Sequence, residues 1–162
     1  MRFRRAIWAT VMLAACGAAS SGESDAAAET HVGCTGDPRV NLPSFPGDVA
    51  LDAAASLPAA RLHFLTANPS VPLAGENTWT FEFQAADGSL LTEPAGTTIQ
   101  AAAFMPDHGH PSSVTPTVSL QADGKWQIEN LFLTMGGIWR VTFTISNTDG
   151  KRTAVVYVCA AS

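Results

Sequence analysis

The chain has 162 residues, with nine basic side chains against fourteen acidic ones, a formal charge of −5 and 46% apolar residues. An acidic balance of that size argues against nucleic acid as a partner, because phosphate backbones are held by a surplus of Lys and Arg. Enzymatic chemistry finds no foothold either: there is no G-x-S-x-G elbow, no H-E-x-x-H pair and no glycine-rich phosphate loop.

Met1-Arg2-Phe3-Arg4-Arg5 carries three positive charges, and Ala6 to Ala15 follows without a charged side chain. That is the pattern of an export leader. Its apolar run makes a helix of about 15 Å, roughly half of what a bilayer crossing needs. Leu13-Ala14-Ala15-Cys16 resembles a lipobox, the processing site of bacterial lipoproteins. The resemblance implies removal of residues 1–15 and a lipid, with palmitate among its acyl chains, on Cys16. The mature chain would then be anchored in the cell envelope through that lipid, with its domain facing the periplasm. Gly17 and Ala18, rather than Asp, follow the cysteine and favour the outer membrane. The competing expectation is an ordinary signal peptide cut nearby, with Cys16 discarded or left as a free thiol. Loss of Arg2, Arg4 and Arg5 leaves six basic residues against fourteen acidic ones, a formal charge of −8. Residues 16–33 are then the lipid-bearing cysteine and a small, polar, acidic tether whose last seventeen residues reach at most about 55–60 Å.

Residues 34–162 have the size of one domain. With Cys16 lipidated, Cys34 and Cys159 remain in a compartment that oxidises thiols, and a disulfide between them is expected. Metal ligation by the same pair is the alternative, and the absence of C-x-x-C spacing speaks against it. Within the domain, Arg61 to Thr66 reads as a strand. Trp79, Phe81 and Phe83 then alternate with Thr78, Thr80 and Glu82 over residues 77–86, the period of a half-buried strand. Asp87-Gly88 turns the chain into a run from Thr97 to Phe104, and another from Thr115 to Gln121 places Val118 and Leu120 in phase. Asp123-Gly124 turns it again. Trp126 and Ile128 alternate next. Trp139, Val141, Phe143 and Ile145 do so over residues 138–146, and Asn147 to Gly150 closes a hairpin onto residues 153–159, where Val155, Tyr157 and Cys159 share a face. About seven strands at these intervals predict an all-β, Ig-like sandwich. Pro58 limits residues 53–60 to one short helical turn.

Met105-Pro106-Asp107-His108-Gly109-His110, together with Leu133-Thr134-Met135-Gly136-Gly137-Ile138-Trp139, resembles the YtkA-like domain, which is similar to the FixH family. The likeness spans about Pro72 to Val158, with two glycines after Met135 as its departure from the family pattern. It implies a small Ig-like sandwich on the outer face of a bacterial membrane. It also implies an association with copper-containing oxidases or their assembly factors as envelope partners. Met105 and Met135 are the two methionines left once the leader is gone, and both fall in these motifs. Thioether sulfur with imidazole nitrogen suits Cu(I) in an oxidising compartment. Met105, His108, His110 and Met135 are therefore the candidate metal ligands, provided their two segments meet. Equally, Met105 and Met135 can be core filler and the histidines can bond to backbone. The domain is then a non-enzymatic interaction module that contacts another envelope protein. Asp107 is either a hard ligand or a solvated turn residue, His63 is expected on the outer face of its strand, and His31 lies in the tether.

Overall fold

A computed structural model describes residues 33–34, 36–53 and 58–162. The leader, Cys16, His31 and the rest of the tether up to residue 32 lie outside the described residues, as do residues 54–57 of the expected short turn. Eleven strand segments run in order: β1 (Gly47–Ala50), β2 (Asp52–Ala53), β3 (Ala60–Asn68), β4 (Gly75–Ala85), β5 (Leu90–Leu91), β6 (Thr98–Met105), β7 (His110–Pro111), β8 (Thr117–Leu120), β9 (Trp126–Leu133), β10 (Gly137–Asn147) and β11 (Gly150–Ala160). They form two antiparallel sheets. One has the order β1-β3-β4-β9-β8 with β5 beside β4, and the other the order β2-β11-β10-β6-β7.

The seven expected strands are all present, as β3, β4, β6, β8, β9, β10 and β11. Among the described residues four shorter segments, β1, β2, β5 and β7, accompany them. Segments of two to four residues are too short to show a period of two. Where the period is clear, burial follows it: Trp79, Phe81 and Phe83 are 0–2% exposed, as are Trp139, Val141, Phe143 and Ile145. The structure decides which faces are buried in β8 and β11. Leu120, at the end of edge strand β8, is 58% exposed, whereas Val118 of the same strand packs against the core. In β11 the face shared by Val155, Tyr157 and Cys159 is the outer one, and Ala154, Val156, Val158 and Ala160 point inward at 0% exposure.

The core is aromatic and spans both sheets. Phe64 of β3 lies 5.6 Å from Phe81, 5.9 Å from Trp79 and 5.8 Å from Phe143 of the facing sheet, centroid to centroid. Such tilted and edge-on pairs match the ring quadrupoles. A bulge keeps β9 in register with this core. Trp79 pairs with Ile128 and Asn77 with Leu131, so Glu129 and Asn130 together oppose Thr78. Asn130 takes the left-handed turn there at φ 55°, a conformation Asn tolerates better than most residues. The inward parity therefore shifts by one residue, and Leu131 and Leu133 re-enter the core.

The segment before β1 secures the opposite sheet. Cys34 is bonded to Cys159 with a Cα–Cα distance of 5.6 Å. Asn41 then lies along the edge of β11. Its Nδ2 donates to the Val155 carbonyl at 2.8 Å, and its Oδ1 accepts from the Tyr157 amide at 2.7 Å. The Leu42 amide also donates to the Tyr157 carbonyl. The Asn41 side chain thus stands in for a peptide group at an edge that would otherwise be open to pairing with another chain.

Candidate functional site

β6 ends at Met105, which is 2% exposed and part of the core. The chain reverses at once. The His108 and Gly109 amides both donate to the Met105 carbonyl, at 3.3 and 2.9 Å, and Gly109 holds φ +69°, where glycine has no Cβ to clash. His110 in β7 then faces Met105 as its antiparallel partner, so the two side chains stand on the same face of the sheet. That face is the inward one. Trp139 lies on it too, one residue beyond the Arg140–Phe104 pair, with its ring 5.9 Å from that of His110. His108 sits outermost, its ring 6.1 Å from His110.

The Nδ1 of His110 lies 3.0 Å from the Pro111 carbonyl oxygen. A carbonyl only accepts, so Nδ1 is the donor in this contact and Nε2 is the ring nitrogen left for another partner.

The second motif segment reaches the same end of the sandwich through Trp139. The indole Nε1 donates to the Met135 carbonyl at 2.9 Å. It is the backbone of Met135 that is tied down; its side chain is 40% exposed. The two glycines that follow are explained by close approach. Gly137 has φ +133°, and a Cβ there would stand 2.5 Å from the Met105 methyl. A Cβ on Gly136 would crowd the Ser162 amide and the Ala160 carbonyl.

Asp107 is an exposed residue of the turn after β6, as one of the two expectations had it, and its carboxylate is engaged by Arg39. Its Oδ1 and Oδ2 accept from Arg39 Nη1 at 2.5 Å and Nη2 at 3.0 Å. Arg39 also donates through Nε and Nη2 to Asp37, at 3.0 and 2.8 Å. Nothing in the spacing of Asp37, Arg39 and Asp107 announces this cluster, because its members are brought together by the disulfide-held segment. His63 lies on the outer face as expected and is occupied elsewhere, with Nδ1 2.6 Å from Asp48. Among the described residues no three His, Cys, Asp or Glu side chains gather around one point.

Hydrogen bonds from the Arg39 side chain, and for Asp37 also from the Arg39 amide, hold both carboxylates below their usual range, Asp37 at about 2. The same bonds raise Arg39, with Asp37 the larger cause. A depressed carboxylate contributes stability above its unfolded pKa and loses it as pH falls through the folded value. We expect carboxyl carbon NMR shifts to place the Asp37 midpoint near 2; a midpoint at the ordinary value would contradict the ion-pair geometry.

No protein-family model matches the chain, and no curated protein matches it. Among solved structures it is similar to FetP of uropathogenic E. coli strain F11, at 11% identity over 71% of this chain and 97% of that one, with a TM-score of 0.42. It is also similar to the copper-reconstituted P19 protein from Campylobacter jejuni, at 14% identity over 72% of this chain and 99% of that one, with a TM-score of 0.40. Likenesses this distant carry nothing about what the present chain binds.

Proposed function

We propose that this chain is a non-enzymatic envelope lipoprotein that holds copper as Cu(I) at the end of its sandwich, with Met105, His108, His110 and Met135 as donors. The observation that carries this reading is His110. It is the cross-strand partner of buried Met105, and its Nδ1–H donates to the Pro111 carbonyl. Metal-bound histidines characteristically donate their second nitrogen to a carbonyl or carboxylate, which orients the ring and leaves the other nitrogen for the ion. The donor chemistry fits as well. Thioether and imidazole are soft to borderline ligands, and a thioether survives where thiols are oxidised. The nearest carboxylate in the loop, Asp107, is already committed to Arg39, so no free hard oxygen competes for the ion's identity. A Cu(I) ion there is cargo, and the tether from Cys16 lets the domain pass it to an envelope partner such as an oxidase or its assembly factor.

The test is anaerobic Cu(I) titration of the mature protein against a chromophoric chelator. One equivalent is expected to bind. Met105→Leu keeps the core volume, and combined with His110→Ala it is expected to abolish binding while the fold persists by circular dichroism. Unchanged stoichiometry in that double variant would sink the site.

A further inference from the structure

Arg140 has no ion pair among the described residues, whereas Arg39, Arg61, Lys125 and Arg152 each meet a carboxylate. It stands half-buried on the outer face of β10, directly between Phe104 of β6 and Tyr157 of β11. Its guanidinium carbon lies 4.9 Å from the centre of the Phe104 ring. Such stacking uses the flat face of the cation and leaves the N–H groups at its edge for an acceptor. Nε is buried and has no hydrogen-bond partner among the described residues. The two terminal nitrogens are then the groups that an incoming oxyanion can meet, and a carboxylate matches their fork.

The surroundings favour negative charge. The chain as a whole is acidic, yet β6, β10 and β11 contain no Asp or Glu. In the same sheet Asp52 of edge strand β2 stands opposite Thr153, about 13 Å along β11 from Tyr157 at the usual strand rise. Asp37 and Asp107, at the end of the sheet, are both bound to Arg39. The outer face of the other sheet carries Asp48, Glu76 and Glu82 instead. One register step from Arg140, the carboxylate-free face opens into a depression lined by Gln100, Ala102, Thr142, Thr144, Thr115 and Thr117. Its hydroxyls and amide can bond to a peptide backbone, and nothing charged lines it. We infer that the outer face of β6, β10 and β11 docks an extended, carboxylate-bearing segment of a partner protein. Arg140 receives the carboxylate, and the depression beside it receives the chain. Complementary charge of this kind sets which partner is accepted. The inference needs no metal and stands apart from the copper reading.

The experiment follows, by fluorescence anisotropy, a short labelled peptide rich in glutamate and the same peptide with glutamine in its place. Each is titrated with the mature wild type, Arg140→Gln, Arg140→Lys and Lys151→Gln. The wild type is expected to prefer the glutamate peptide on the order of ten-fold, the discrimination of one charge-assisted pair. Arg140→Gln should abolish that preference with the circular dichroism spectrum unchanged. Arg140→Lys should keep only part of it, because an ammonium has neither the fork nor the flat face. Lys151→Gln removes a cation at the far end of β11 and should leave the preference intact. Equal binding of the two peptides by the wild type overturns the inference, and so does a preference that survives Arg140→Gln or is lost equally in Lys151→Gln. Displacement of the peptide by inorganic phosphate at a concentration where acetate has no effect would make this a phosphate site and overturn the protein partner. Concentration-dependent assembly of the wild type in sedimentation, dissolved by Arg140→Gln, would put the acidic face of a second copy there and overturn it as well.

Discussion

Replacing Cys34 and Cys159 together by serine is expected to lower the unfolding free energy by up to about 5 kcal/mol, the largest single effect available in this domain. The bond spans 125 residues of sequence. In the chain-entropy description, a crosslink closing a loop of that length removes about 5 kcal/mol worth of unfolded-state freedom. That figure is a ceiling, since residual order in the unfolded chain reduces it. The loss should extend to the edge of β11, because Asn41 and Leu42 cover that edge from a segment the disulfide secures. Urea denaturation of the oxidised protein and the double serine variant measures the difference. A change below about 1 kcal/mol would mean that the contacts of the segment hold it in place without the crosslink.

Phe64→Ala is expected to cost about 3–5 kcal/mol, the usual range for deleting a fully buried aromatic ring. Phe64 is 0% exposed and meets Trp79 and Phe81 of its own sheet and Phe143 of the other. Its removal therefore opens space between the layers, where neither rigid sheet can collapse to fill it. Phe132, in the same class of residue but 36% exposed at the surface of β9, is the control; its alanine variant should cost far less. Equal losses at the two positions, by the same denaturant measurement, would contradict the layered core.

Much of the architecture was written in local pattern. The alternation of Trp79, Phe81 and Phe83, and of Trp139, Val141, Phe143 and Ile145, locates β4 and β10 because a strand has a period of two and one face must leave water. Asp87-Gly88, Asp123-Gly124 and Asn147 to Gly150 mark turns that the fold uses between β4 and β5, β8 and β9, and β10 and β11. Parity failed where the backbone departs from the pleat. Leu131 and Leu133 were out of phase with Trp126 and Ile128 because the bulge at Asn130 adds a residue. Edge position, too, is invisible in a single strand, which is why Leu120 could not be told from a core residue.

The candidate site divides along the same line. By itself the sequence determined that Met105, His108 and His110 lie in one short stretch and that Met135 lies in another, because these follow from spacing along the chain; the Cys34–Cys159 bond was an expectation that the structure bears out. Only the tertiary structure decided that His110 stands opposite Met105, that Trp139 ties the Met135 backbone to the same end, and that Asp107 belongs to Arg39. Those are contacts between residues far apart in sequence or set by strand register. Register and layer packing are fixed by the whole core, not by any local run of side chains.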